Sequence, residues 1–272
     1  MRGEFVDIGG QRMYYFAAGT RGEGVPVILL HGFPTASRLW QGVVRDFPAG
    51  HRLVVCDLPG FGRSDPSPGP ADCADHAAAV LRLMDDLRIA RACLVGHGLG
   101  GGVAQVIAAQ APDRVSHLAL VDSAAFGVAP RRMARLARAL LPLTGLLPPG
   151  LLAGLVQGSV RTGFVDPERS RLTLDTCLLP FTTPNGRDHL VQHLRALGRC
   201  ATAALPLPIA ASGIPTAILW GADDPFYPVA LARRLHAAIP GSTLEIVEDA
   251  RHFLPEDVPE RVLGAVTALL QR

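Results

Sequence analysis

The sequence predicts one α/β domain: a mostly parallel central sheet flanked by helices, with a helical cap inserted after the sixth strand. Three observations lead there. First, 272 residues are too few for two full domains and ample for one domain with an insertion. Second, solidly apolar runs of strand length alternate with stretches of helical spacing: Val25–Leu30, Leu53–Cys56, Ala92–Val95, Val115–Val121 and Thr216–Trp220. A strand covered on both faces lacks polar alternation, so such runs indicate a parallel sheet between two helix layers. Third, the alternation stops between residues 126 and 212, a Leu-, Ala- and Pro-rich stretch that reads as several short helices. The core is expected at 1–125 and 213–272, and the cap at 126–212.

Each element has its own signal. Glu4–Ile8 and Arg12–Ala18 flank Gly9-Gly10 and read as a β-hairpin. A helix is expected from Ala36 to Phe47. Another is expected from Asp72 to Arg88, where Val80, Leu83, Met84 and Leu87 fall on one face. Gly100–Gln110 and Val229–Ile239 read as helices, Leu244–Val247 as a strand, and Pro259 to about Leu270 as the last helix. Open sheets of this kind bind ligands at the C-terminal ends of their strands, beneath the cap.

Composition narrows the function classes. Apolar residues make up 49% and charged residues 18%, which excludes a disordered, collagen-like or coiled-coil chain. All 26 basic residues are arginine, set against 24 acids, and no basic run is interleaved with aromatics, so no nucleic-acid partner is expected. Within 126–212, ten arginines meet four acids. These arginines read mainly as a solvated face, with an anionic or phenolate-bearing ligand as the alternative. Cys56, Cys73, Cys93, Cys177 and Cys200 are scattered without a C-x-x-C pair. Zinc is therefore not indicated, and the odd count fits a reducing compartment. The N-terminal MRGEFVDIGG has no apolar core of signal-peptide length, and prolines break both long uncharged runs. A cytoplasmic protein, monomer or homodimer, with no membrane partner, is the expectation.

The chemistry centres on Leu94-Val95-Gly96-His97-Gly98-Leu99-Gly100-Gly101, between a strand and a helix. Glycines at 96 and 100 permit a tight strand-to-helix turn of the G-x-S-x-G kind, which lifts its central residue into a site. Here that residue is Gly98, which has no side chain. Three further motifs follow the same plan: His31-Gly32-Phe33-Pro34, the loop Asp57 to Ser64, and the pair Trp220 to Pro225 with Asp249 to Phe253. Together these resemble the α/β-hydrolase superfamily over essentially the whole chain, most closely its epoxide-hydrolase and dehalogenase branch.

The resemblance implies a role for each position. Asp224 falls on the acid and His252 on the histidine, in the family's chain order. The backbone N–H groups of Phe33 and Leu99 fall on the oxyanion hole. Asp122, His97 and His31 are auxiliary candidates, each with a packing or capping role as the plainer alternative. Asp223 competes with Asp224, and spacing from Gly221 favours the latter. His189 and His193 have metal-ligand spacing but no third ligand, so a solvated helix face is expected and no metal is assigned. Trp40, Phe126, Phe164, Phe181 and Phe253 are expected to line an apolar substrate pocket.

Gly98 offers neither a hydroxyl nor a carboxylate, so no covalent enzyme intermediate can form there. A His–Asp dyad and an oxyanion hole still suffice for elimination, cyclisation or rearrangement of an apolar, polyketide-like carbonyl compound, with no cofactor. Two other readings fit the same residues. One is a hydrolase acting through activated water, or a natural or engineered nucleophile-disabled variant. The other is a non-catalytic small-molecule binder. The cap carries no tyrosine, and Leu99 stands where halide-binding relatives place tryptophan, so epoxide opening and dehalogenation are both disfavoured.

Overall fold

The computed structural model describes residues 3–19 and 24–272. The other six positions, including the first two of the MRGEFVDIGG segment, lie outside the described residues. Eight strands form one sheet: β1 (Glu4–Asp7), β2 (Arg12–Gly19), β3 (Val27–Leu30), β4 (Arg52–Cys56), β5 (Ala92–His97), β6 (Val115–Val121), β7 (Thr216–Gly221) and β8 (Thr243–Val247). Their order is β1-β2-β4-β3-β5-β6-β7-β8. β1–β2 and β2–β4 pair antiparallel, and every other pair is parallel. β3, β5 and β7 are buried at every residue, as their unbroken apolar runs require.

Between the strands run α1 (Gln41–Arg45), α2 (Cys73–Asp86), α3 (Leu99–Gln110), α9 (Val229–Ala238), α10 (Leu254–Asp257) and α11 (Pro259–Leu269). Five helices fill the β6–β7 insertion: α4 (Arg131–Leu140), α5 (Pro149–Arg161), α6 (Pro167–Leu178), α7 (Pro184–Ala196) and α8 (Pro206–Ser212). Asp72 starts α2 with a reciprocal capping box: its side chain accepts the N–H groups of Ala74 and Asp75, and Asp75 accepts that of Asp72. Cys73, His76, Ala77, Val80, Leu83 and Met84 then form its buried stripe.

Local chemistry accounts for the differences from expectation. β3 starts at Val27, not Val25, because Pro26 has no N–H to give to a ladder; its carbonyl accepts Cys93 N–H instead. The segment expected as a helix over 36–47 is a 3-10 turn, Ser37–Trp40, followed by the short α1; the approach to Pro48 disfavours helix in the residue before it. α10, four residues long, carries no periodicity to betray it.

The cysteine reading is overturned at two positions. Cys73 and Cys200 are disulfide-bonded across 127 residues, with Cα atoms 5.0 Å apart, while Cys56, Cys93 and Cys177 are free and buried. The bond joins the start of α2 to the returning end of the insertion. Among the described residues no helix is long and apolar enough to cross a membrane.

Denatured without reductant, the protein should react with a thiol reagent at three cysteines, and at all five after reduction. Reduction should lower the unfolding free energy by roughly 2–4 kcal/mol, measured by chemical denaturation. Five reactive thiols before reduction would refute the pairing.

Candidate active site

The turn after β5 is built as its glycines require. Gly98 has φ 54° and ψ −117°, a backbone that side-chain-bearing residues rarely adopt. A Cβ on Gly100 would stand 2.3 Å from the Leu30 carbonyl oxygen, so only glycine lets α3 start this close to the end of β3. Leu99 is the first residue of α3, where the N–H has no intrahelical acceptor. Neither the Leu99 nor the Phe33 N–H donates to a backbone carbonyl among the described residues.

His252 follows β8. Its Nδ1 lies 2.8 Å from Asp224 Oδ2, and both side chains are buried. A carboxylate only accepts, so Nδ1 carries the proton and Nε2 presents a lone pair. A Cβ placed on Gly98 would stand 3.5 Å from that Nε2. Asp224 Oδ1 accepts the N–H groups of Phe226 and Tyr227, which fixes the carboxylate. The backbone N–H groups of His252 and Phe253 donate to the Gly163 carbonyl of the insertion. Asp223, the rival acid, is exposed.

A family model described as the alpha/beta hydrolase fold matches residues 25–164. The chain belongs to the α/β-hydrolase fold family. Family members are largely enzymes, mostly hydrolases. An uncharacterized protein of Mycobacterium tuberculosis is 33% identical, over 97% of this chain and 79% of its own length. Epoxide hydrolase 4 of Mus musculus is 29% identical over 96% of this chain and 77% of its own. The crystal structure of the enol-lactonase from Burkholderia xenovorans superposes with a TM-score of 0.84, at 23% identity, over 99% of this chain and 100% of that one; at that identity it speaks for the fold.

Within this α/β-hydrolase fold, a cavity of about 60 Å³ lies over Gly98 and Leu99. Phe33, His252 and Phe253 reach it. Of the five aromatics expected to line it, Phe253 alone does so. Trp40 is fully buried in the 3-10 turn under β3 and β4. Phe126 lies beneath the Arg234 guanidinium, 3.8 Å from its ring centre. Phe164 stacks behind Phe253 at 4.0 Å, and Phe181 backs His193 at 5.7 Å. Among the described residues, no arginine of the insertion lines the cavity.

His193 is a further correction. It is buried rather than solvated, stacks on Phe61 at 4.0 Å, and lines the cavity with Nε2 donating to the Gly60 carbonyl at 2.9 Å. Sequence reasoning also missed His76, another lining residue. Its signal was available: it stands on the same helical stripe as Cys73, Val80 and Leu83.

The auxiliary candidates sit behind the dyad. His97 donates from Nε2 to the His252 carbonyl at 2.9 Å. His31 accepts Leu58 N–H at Nε2 and donates from Nδ1 to Gly32, joining two loops of the site. Burial drives both imidazoles below the usual histidine range, so they are neutral packing groups. His97, Asp122 and His252 bring potential metal-ligand atoms within 4.8 Å of one another, yet His252 Nδ1 is committed to Asp224.

Asp122 ends β6 with φ 43°, fully buried, and its Oδ1 accepts Gly221 N–H at 2.9 Å. Burial first, and then the negative charge of Asp224, push its carboxyl well above the usual carboxylate range. Protonation of Asp122 would relieve the repulsion between the two buried carboxyls. Its raised value makes a stabilising contribution that is present at low pH and lost as pH rises through that value.

Asp122→Asn keeps the acceptor and a donor without titrating. The stability difference between wild type and Asp122→Asn should therefore shift toward the variant as pH rises above about 4, followed by urea denaturation. Asp122→Ala should cost about 1–3 kcal/mol by leaving Gly221 N–H unpaired. A pH-independent difference would refute the neutral assignment.

Proposed function

We propose that this chain is an α/β-hydrolase-fold enzyme without an elbow nucleophile, acting by acid–base chemistry on an apolar carbonyl compound. The observation that carries the reading is the bare Nε2 of His252, held by Asp224 and facing a residue with no side chain. Asp224 and His252 serve as the catalytic dyad, and Phe33 and Leu99 as the oxyanion hole. Residues 126–212 act as the cap that keeps water from the cavity.

In this reading a substrate carbonyl lies over Gly98. His252 Nε2 takes the proton from the carbon next to the carbonyl, and the electron pair moves onto the carbonyl oxygen. The Phe33 and Leu99 amides hold that developing charge, and the imidazolium is stabilised by Asp224. The same imidazolium returns its proton at carbon, at oxygen or to a leaving group. Isomerisation, cyclisation or elimination follows, with the chain's own groups restored. A positioned base contributes about 10²–10⁴-fold.

A neutral bicyclic ketone, 2-tetralone, tests this step. Wild-type protein should accelerate exchange of its α-hydrogens with D₂O, read by proton NMR, and His252→Ala should remove about 10²–10⁴-fold of that acceleration. Exchange at the buffer rate, or undiminished in His252→Ala, would sink the proposal.

Hydrolysis through a His252-activated water is the second reading, favoured by the match to a protein named an epoxide hydrolase. Steady p-nitrophenyl acetate hydrolysis by wild type, lost in His252→Ala, would support it. Gly98→Ser should add what the turn lacks. A Cβ at 98 meets nothing closer than 3.5 Å, so the variant should show a nitrophenol burst and a mass increase of one acetyl group. A folded Gly98→Ser protein with no burst would refute the claim that the rest of the machinery is assembled.

A further inference from the structure

We infer that His76 forms a second polar subsite in the cavity over Gly98, one that receives a neutral hydroxyl or carbonyl group of the ligand. The inference rests on reading that cavity as the substrate pocket and adds which ligand class it takes.

His76 projects from the first turns of α2 and lines the cavity, yet neither of its ring nitrogens has a hydrogen-bond partner. The side chain is buried, with 1% of its surface exposed. A buried polar group without a partner forfeits the hydrogen bonds it would make in water, so such groups are rare unless something else completes them. The other cavity histidines are accounted for: His252 is held by Asp224, and His193 donates to Gly60. Of the three, His76 is the one with neither ring nitrogen partnered.

The surroundings choose the ligand's charge. Burial, reinforced by His193 and His31, pushes His76 down to about 3, so the ring is neutral and offers one donor and one acceptor. His193 is pushed down to about 4 by burial; with Nε2 donating to Gly60, its Nδ1 is left as an acceptor. Among the described residues the cavity lining contains no arginine, and its one acid, Asp72, caps α2. A carboxylate there would find no cation and a nearby negative charge. A hydroxyl satisfies both a donor and an acceptor, and the Phe61 and Phe33 rings supply an apolar wall beside it. His76 and His252 belong to separate parts of the wall: the first neighbours Phe61, the second Phe226, Tyr227 and Phe253. A ligand serving both carries a carbonyl at one position and a second neutral polar group at another, on an apolar frame.

Binding of naphthalene, 2-naphthol and 2-naphthoate, measured by calorimetry, tests the subsite without turnover. Wild type should bind 2-naphthol about fivefold or more tightly than naphthalene, the effect of one hydrogen bond, and 2-naphthoate most weakly. His76→Leu should erase the preference for 2-naphthol while keeping naphthalene affinity, and His76→Gln should retain part of it. In wild type with nitrogen-15-labelled histidine, 2-naphthol should move the His76 ring resonances. That readout also decides the matter if His76→Leu fails to fold. A preference that survives in His76→Leu, tightest binding of 2-naphthoate, or unmoved His76 resonances would overturn the inference. Loss of the His252 exchange chemistry would leave these binding results standing, and failure here would leave that chemistry standing.

Discussion

The site depends on one close approach. α3 begins so near the end of β3 that residue 100 can carry no side chain against the Leu30 and His31 carbonyls. Two hydrogen bonds then fasten the turn to β6: Gly98 N–H donates to the Val121 carbonyl, and Ala124 N–H donates to the Gly98 carbonyl. With both sides held, Leu99, Phe33 and His252 line one cavity without any help from a side chain at 98. The scaffold of a nucleophilic site therefore persists where the nucleophile does not, and only chemistry that needs no covalent bond to residue 98 can use it.

One residue type is put to different uses by its surroundings. His31, His97 and His193 each spend a ring N–H on a backbone carbonyl, and burial keeps them neutral. Of these four, His252 is the one hydrogen-bonded to a carboxylate, which fixes its tautomer and would stabilise a charge gained during reaction. Behind that carboxylate stands Asp122, a second acid whose carboxyl is held well above the usual range by burial and by the Asp224 charge. The contrast is set by partners at hydrogen-bond distance, since all four histidines are buried.

Much of this was legible in the sequence. The strand order of apolar runs, the turn glycines, and the spacing that selects Asp224 over Asp223 are local patterns with local causes, and they hold in three dimensions. What was not legible depends on contacts between distant segments. Cys73 and Cys200 are 127 residues apart, and no spacing rule links them. His193 looked like one of two solvated histidines because its burial is imposed by Phe61 from another loop. The aromatic expectations failed at Trp40, Phe126, Phe164 and Phe181 for the same reason: a large apolar ring must be buried somewhere, but its sequence position does not say against which surface. Phe253 succeeded because it adjoins a residue whose place was already fixed.

Within the β6–β7 insertion, the chain near residue 127 and the chain near residue 202 are held side by side. Gly127 N–H donates to Thr202 Oγ1 at 2.8 Å, and the Cys73–Cys200 bond fastens the returning end to α2. Four of the five inserted helices, α4 to α7, thus hang from a clasp, and α8 follows it on the way to β7. Lengthening or shortening the chain between 128 and 199 changes the ceiling of the cavity without altering the register of any strand beneath it. That is a route by which one cavity floor can be refitted for guests of different size.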